Sequence, residues 1–96
     1  MPAVQASFES KVALPEGVAL HARPAATFVK TALRFRSQLT VGLNDKADEK
    51  VANAKSILAV LALGATGGTV LRLNAEGEDA TAALEALAGC VSGLVE

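Results

Sequence analysis

The chain has 96 residues, which suits one domain with one hydrophobic core. Hydrophobic residues make up 51% of it and charged residues 20%, a balance typical of folded soluble proteins rather than of disordered chains. A net charge of -1 and only three aromatic residues, all Phe, supply neither the basic surface nor the stacking platform of nucleic-acid-binding proteins. We therefore expect a single domain over residues 1–96 that does not bind nucleic acid.

Cysteine content and hydropathy favour a cytoplasmic setting. Cys90 is the only cysteine, so it cannot form an intramolecular disulfide, and we interpret it as a small apolar filler. No apolar run approaches the roughly 18 residues needed to span a bilayer, so we expect no direct membrane insertion. No stretch has the charged start, apolar core and cleavage site of a signal peptide.

The first third of the chain predicts a strand followed by a helix. Ala6 to Leu14 alternates apolar and polar residues as a half-buried strand, and Pro15 to Gly17 interrupts it as a turn. Apolar residues then recur at helical spacing and predict an amphipathic helix of about three turns. Its apolar face would comprise Ala25, Phe28, Val29, Ala32 and Leu33.

Three further strands are predicted. Leu39 to Leu43 alternates as the second, a polar connection from Asn44 to Lys50 leads to a short third strand near Val51, and Val70 to Ala75 alternates as the fourth. The connection contains Asn and Asp but no Gly, which disfavours a tight two-residue turn.

A second, short helix is predicted from its start and stop residues. Ser56 precedes the apolar run from Ile57 to Leu63 and Gly64 follows it. A helix that is apolar all round cannot bury every side chain, so part of it should face out, unless it is ordinary core. We expect the exposed part to form a docking patch of Ile57, Leu58 and Leu61.

A final helix would begin after Gly77, with Glu78 and Asp79 placing negative charge in its first turn, as the helix dipole prefers. Its buried stripe would comprise Ala80, Leu84, Leu87, Val91 and Leu94. The order β-α-β-β-α-β-α predicts an α/β (α+β) two-layer open-faced sandwich, in which three helices cover one face of a four-stranded antiparallel sheet.

His21 is the strongest candidate for chemistry. It is the only histidine of the chain and stands where an apolar strand-like run meets the first helix. Unpaired N–H groups and the positive end of the helix dipole favour an anion there. The planar guanidinium of Arg23 suits phosphate oxygens, and the preset φ of Pro24 suits the first turn of a helix. We interpret this stretch as a phosphoryl-accepting site.

Three stretches carry a family resemblance: LHARPAATFVKTA, AKSILAVLALG and AEGEDA. Together they resemble, in the same order and over nearly the whole chain, the HPr family of histidine-containing phosphocarriers of the bacterial phosphoenolpyruvate-dependent sugar phosphotransferase system. The resemblance implies that enzyme I phosphorylates His21 at Nδ1 and that His21 passes the phosphoryl group to sugar-specific IIA domains. It also implies that Arg23 stabilises the phosphate and that Pro24 belongs to the site.

The resemblance implies further roles around this site. Leu20 and Ala22, beside His21, would share in partner binding with the docking patch. In some members, chiefly from Gram-positive bacteria, a kinase phosphorylates a serine that falls on Ser56, so HPr kinase/phosphorylase is a further expected partner; a helix-capping role alone also explains this serine. We expect a monomer with no cofactor. We also expect no metal, because one histidine and one cysteine do not make a metal cluster.

Two features depart from the family pattern. Ala19 stands where a glycine often stands two residues before the histidine, which should restrict the loop. The connection from Asn44 to Lys50 is about four residues longer than usual, a tolerated surface insertion because added loop length costs little free energy. Neither departure removes a group that the chemistry needs.

Two classes of function follow. In the first, His21 is a transient covalent carrier and the chain is a substrate of other enzymes more than an enzyme itself. In the second, the chain is a regulatory or nitrogen-branch HPr-like binding module, in which docking matters and transfer does not. The pairing of His21 with Arg23 favours the first class, because a module that had lost transfer would have no reason to keep it. Which sugar or nitrogen-related system is served depends on the partners.

Overall fold

A computed structural model describes residues 7–44 and 51–94. They form strands and helices in the predicted order β-α-β-β-α-β-α. The strands are β1 (Ser7–Ala13), β2 (Gln38–Leu43), β3 (Val51–Asn53) and β4 (Val70–Glu76), and the helices are α1 (Ala22–Ala32), α2 (Ile57–Ala62) and α3 (Ala80–Ser92). The predicted polar connection lies outside the described residues from position 45 to 50.

The strands form one antiparallel sheet in the order β1-β4-β2-β3. Its register places apolar residues of neighbouring strands side by side, because Leu71 of the central strand β4 pairs with Val12 on one side and with Leu43 on the other. The opposite face is polar and carries an ion pair of 2.6 Å between Arg72 Nε and Glu9 Oε2. In the described part of the chain, helices cover only the apolar face, so the predicted two-layer open-faced sandwich is confirmed.

The predicted helical stripes form most of the remaining core. The buried residues of α1 are Pro24, Ala25, Phe28, Val29 and Ala32, and those of α3 include Ala80, Leu84, Leu87 and Val91. The prediction is wrong for Leu33, which is 59% exposed. Leu33 stands at the C-cap with helical backbone angles and donates its N–H to the Val29 carbonyl at 2.9 Å. At about 100° per residue it lies beyond the edge of the buried stripe, so its side chain faces solvent.

Asp79 differs from its predicted role. Helix α3 begins at Ala80, so Asp79 and Glu78 precede the first turn, which holds no acidic residue. The Asp79 carboxylate instead accepts hydrogen bonds from the Ser37 hydroxyl and from the N–H groups of Arg36 and Ser37, both at 2.9 Å. These bonds, chiefly that of the hydroxyl, lower the pKa of Asp79 from 3.8 to about 2. The carboxylate thereby ties the start of α3 to the start of β2.

We expect Asp79→Asn to lower the melting temperature by several degrees at neutral pH. Because the pKa of this carboxyl is lower in the folded than in the unfolded chain, its stabilising contribution is present above 3.8 and is lost as the pH falls toward about 2. Thermal unfolding of both proteins over this range should therefore show the difference narrowing in acid. Glu78→Gln, a change in the same turn, serves as the control, and a difference independent of pH would contradict the role given to the carboxylate.

Candidate functional site

His21 occupies the N-cap of α1. Its backbone is extended, with φ -88° and ψ -166°, and its carbonyl accepts the Ala25 N–H at 2.8 Å as the first bond of the helix. The residue is exposed. The imidazole therefore stands at the point where the preceding loop becomes a helix and can be reached from solvent.

The first turn of α1 supplies donors beside His21. The N–H groups of Ala22 and Arg23 lie in this turn, beyond the reach of any intrahelical carbonyl, and the positive end of the helix dipole adds to them. Pro24, the third helical residue, has no N–H and is buried, so it anchors the turn to the core. These four residues line a surface depression of about 250 Å³, which is ample for a phosphoryl group.

Arg23 lies between this depression and a groove along α1. The groove, of about 580 Å³, separates α1 from the end of α3 and is also lined by Thr27, Thr31 and Cys90. The Thr27 hydroxyl donates to the Arg23 carbonyl at 3.2 Å, while the Arg23 side chain is exposed. Its guanidinium offers parallel donors that match phosphate oxygens. Cys90 is half-buried and packs against the core, in agreement with its prediction as an apolar filler.

The segment that leads to His21 is shaped by a turn. The Pro15 carbonyl accepts the Val18 N–H at 3.1 Å, and Gly17, the third residue of the turn, has a φ of +82° that favours glycine. Within the described residues only glycines have a positive φ, so Ala19 adopts an ordinary backbone conformation. An alanine adopts this conformation without strain, so the glycine that often stands at this position is not required for the loop seen here.

Ser56 caps α2, as predicted. Its hydroxyl oxygen accepts the Ala59 N–H at 3.2 Å, and its carbonyl accepts the Val60 N–H at 3.0 Å. The side chain is half-buried, and its backbone is extended, as is usual for an N-cap.

Ser56 and His21 lie at opposite ends of α2. Leu20, next to His21, donates its N–H at 3.0 Å to a carbonyl of the loop that follows α2. Lys55, next to Ser56, donates through Nζ at 2.7 Å to the Phe35 carbonyl, beyond the far end of α1. Helix α2 has six residues with a rise of 1.5 Å each, so about 9 Å of helix separates Ser56 from the loop that bonds Leu20.

Helix α2 presents an apolar surface between these sites. Leu58 is 76% exposed, Ile57 is 36% exposed and Leu61 is half-buried, whereas Val60 on the other side of the helix is fully buried. The three residues of the predicted docking patch are thus accessible to different degrees, and Leu58 projects the furthest. Burying them against a partner would remove apolar surface from water, which favours association.

Leu20 and Ala22 were also predicted to belong to the partner-binding surface. Leu20 is only 3% exposed, so its assignment to that surface is wrong: its side chain packs in the core, although its neighbour is at the surface. Ala22 is exposed beside His21. Leu33 adds an exposed apolar side chain at the end of α1, which the sequence pattern had placed in the core.

Other kinds of site find less support in the described part of the chain. No helix there is long and apolar enough to cross a membrane. Residues 7–44 and 51–94 contain no group of three or more His, Cys, Asp or Glu side chains placed to hold a metal ion. Lys30, Arg34 and Arg36 are exposed on or just beyond α1 and give this side of the molecule positive charge.

Comparisons with known proteins agree with this geometry. The family model PTS-HPr, described as the PTS HPr component phosphorylation site, matches residues 6–92. The phosphocarrier protein HPr of Streptomyces coelicolor is 49% identical over 78 residues, which cover 80% of this chain and 81% of the relative. That of Buchnera aphidicola is 43% identical over 77 residues, which cover 80% and 84%.

Solved structures show the same likeness. The crystal structure of HPr from Bacillus anthracis has a TM-score of 0.81 and 38% identity, and the match covers 91% of this chain and 99% of that one. The solution structure of Crh, the Bacillus subtilis catabolite repression HPr, has a TM-score of 0.64 and 41% identity over 92% and 100% of the chains. This chain also matches the multiphosphoryl transfer proteins of Haemophilus influenzae and Vibrio cholerae at 42% and 48% identity, but it spans only 14% and 17% of their length.

The fold, the family model and these relatives define the class: small phosphocarrier proteins of the sugar phosphotransferase system. Within this class, the chain belongs to the HPr family.

Proposed function

We propose that this chain carries phosphoryl groups on His21, accepting them from phosphorylated enzyme I and passing them to sugar-specific IIA domains. The observation that carries this proposal is the position of an exposed His21 at the N-cap of α1, next to Arg23 and the N–H groups of the first turn. The chain would act as a substrate of its partners, since the group arrives from one protein and leaves to another.

The transfer step uses the lone pair of a neutral imidazole. In the tautomer protonated at Nε2, the Nδ1 lone pair attacks phosphorus and an Nδ1–P bond forms. The bond between phosphorus and the donor breaks, and its electron pair returns to the donor. No proton has to leave the ring, so no separate base is required. Negative charge on the phosphoryl oxygens would be stabilised by Arg23 and the N–H groups of Ala22 and Arg23.

We also propose that the chain works as a single-domain monomer in the cytoplasm. One cluster of buried apolar residues connects the strands and helices of the described part of the chain, which supports a single domain. The lone Cys90 suits a reducing compartment.

A second candidate function is that of a regulatory module without phosphoryl transfer. The likeness to Crh, whose name refers to catabolite repression, favours it, as does the apolar patch beside Ser56. The two candidates differ in whether His21 is phosphorylated, which the first experiment decides.

Incubation with phosphoenolpyruvate and enzyme I should add one acid-labile phosphoryl group to the wild-type chain and none to His21→Ala. A phosphoryl–nitrogen bond breaks in acid, whereas phosphoserine survives it, so acid treatment separates the two kinds of label. Mass spectrometry before and after acid treatment gives the result. Equal labelling of His21→Ala would place the acceptor elsewhere, and an unlabelled wild-type chain would favour the regulatory module.

Arg23→Ala should slow phosphoryl acceptance by about tenfold or more, because a donor to the developing negative charge is lost. Its melting temperature should stay near that of wild type, since exposed charges add little to stability. Arg34→Ala, which removes an exposed arginine just beyond the far end of α1, is the matched control. Rapid-quench kinetics would measure both rates, and equal rates for the two variants would rule out a specific role for Arg23.

Phosphorylation of Ser56 by an HPr kinase/phosphorylase would act on docking. The hydroxyl already faces the Ala59 N–H, so the start of α2 could hold a phosphate, which adds about -1.5 to -2 charge, with little cost to the fold. The same charge would lie beside Ile57 and Leu58. Docking of enzyme I on these apolar side chains would then require water to be stripped from the phosphate, which weakens binding.

Ser56→Asp should raise the half-saturating concentration of enzyme I several-fold and leave the maximum rate unchanged. Ser56→Ala is the control: it loses the cap, which costs about 1 kcal/mol of stability, but it adds no charge and should keep the wild-type half-saturation. Initial rates against enzyme I concentration test both variants, and chain phosphorylated at Ser56 tests the phosphate directly. An unchanged curve for the phosphorylated chain would remove the patch as the docking site.

A further inference from the structure

The segment 14–20, which ends beside His21, rests at both ends on the loop 64–69. Backbone hydrogen bonds join Leu14 N to Thr69 O at 2.9 Å, Gly68 N to Leu14 O at 3.1 Å, and Leu20 N to Ala65 O at 3.0 Å. The last of these bonds is made by the residue directly before His21. A shift of this loop would therefore move His21 with it.

Gly67 lies between these bonds and faces the turn at Gly17. A Cβ on Gly67 would lie 2.6 Å from Gly17 N, 3.1 Å from Val18 N and 3.3 Å from Gly17 Cα. All three are backbone atoms, which cannot rotate away as the end of a flexible side chain can. Gly67 does not have a positive φ, unlike its neighbours Gly64 and Gly68. A glycine is therefore required at position 67 because it lacks a side chain, and not because the backbone has a positive φ.

We propose that Gly67 is a positioning residue for His21. Its lack of a side chain lets the loop 64–69 and the turn at Gly17 pack backbone against backbone, and this contact sets where the segment delivers the imidazole. The inference rests on the proposed phosphocarrier function, because the orientation of His21 matters for in-line attack on phosphorus. A side chain at this position would push the turn away and shift the segment that ends at Leu20.

The expected defect lies in the transfer step. Misplacement of a reacting group by about 1 Å can cost roughly 100-fold in rate. The docking patch is on α2, which ends before this loop, so encounter with enzyme I should be preserved.

Gly67→Ala should therefore lower the maximum rate of His21 phosphorylation by about fivefold or more, with an unchanged half-saturation for enzyme I. Nuclear magnetic resonance should show shifts of the Leu20 amide and the His21 ring nitrogens. Both measurements are made on the full chain, with the folded state verified by circular dichroism.

Gly68→Ala is the matched control in the same loop. It strains a residue with a φ of +82°, but its Cβ would meet nothing within 4 Å, and its N–H bonds Leu14 at the end of the segment remote from His21. It should therefore lose stability while keeping a maximum rate within about twofold of wild type. Should Gly67→Ala unfold, the comparison is repeated in a chain that also carries Gly89→Ala. A Cβ on Gly89 would meet nothing within 4 Å, and alanine favours α3, so Gly89→Ala should stabilise the fold.

The outcomes separate the inference from the proposed function. A wild-type maximum rate in Gly67→Ala, or an equal loss in Gly68→Ala, would overturn the inference, since the Gly17 contact would not be what positions His21. A wild-type chain that accepts no phosphoryl group would contradict the proposed function. In that case the NMR measurement still tests whether Gly67 positions His21. Leu20 and His21 signals that are unchanged in Gly67→Ala would overturn the inference.

Discussion

The burial of one side of α1 is the constraint on which the candidate site depends. Pro24, Ala25 and Phe28 are buried, so they hold α1, with His21 at its N-cap, against the core and fix the direction of its first N–H groups. Apolar burial is non-directional, so it holds the helix without using the polar groups of the first turn. Those groups are already oriented before an anion arrives, which avoids the cost of rearrangement at each transfer. This suits a carrier, which has to receive a group and release it again.

Local patterns in the sequence predict the elements but not the contacts between loops. Ser56 and the apolar run after it were sufficient for α2, because a cap and a helical length are local properties. The hydrogen bonds from Ser37 to Asp79 join residues far apart in the chain, and the close approach of Gly67 to Gly17 does the same. Neither contact follows a repeating pattern in the sequence, so the spacing of apolar residues in strands and helices could not reveal it. The candidate nucleophile was predictable because its helix start is local, whereas the support that orients it was not.

The distance between Ser56 and His21 decides how one phosphate can affect the other. Two charges near -2 at a separation of about 10 Å in water would repel each other by about 1.7 kcal/mol before screening. With a Debye length of about 8 Å at physiological salt, about 0.5 kcal/mol remains, which corresponds to roughly a twofold change in rate. A much larger effect of Ser56 phosphorylation on transfer would therefore point to weakened docking rather than to direct repulsion between the two phosphates.

Helix α2 and its flanking residues link recognition to chemistry. Ser56 stands at its start, Leu58 projects from its exposed side, and the loop that follows it supports the segment ending at His21. In the proposed function, a partner docked on the patch would be placed relative to the imidazole through one short helix and one hydrogen-bonded loop, with little freedom between them. A change at the start of α2 would alter how often a partner docks, whereas a change in the loop would alter how His21 is oriented once docking has occurred. Because these would be successive steps, the first change should affect half-saturation and the second the maximum rate.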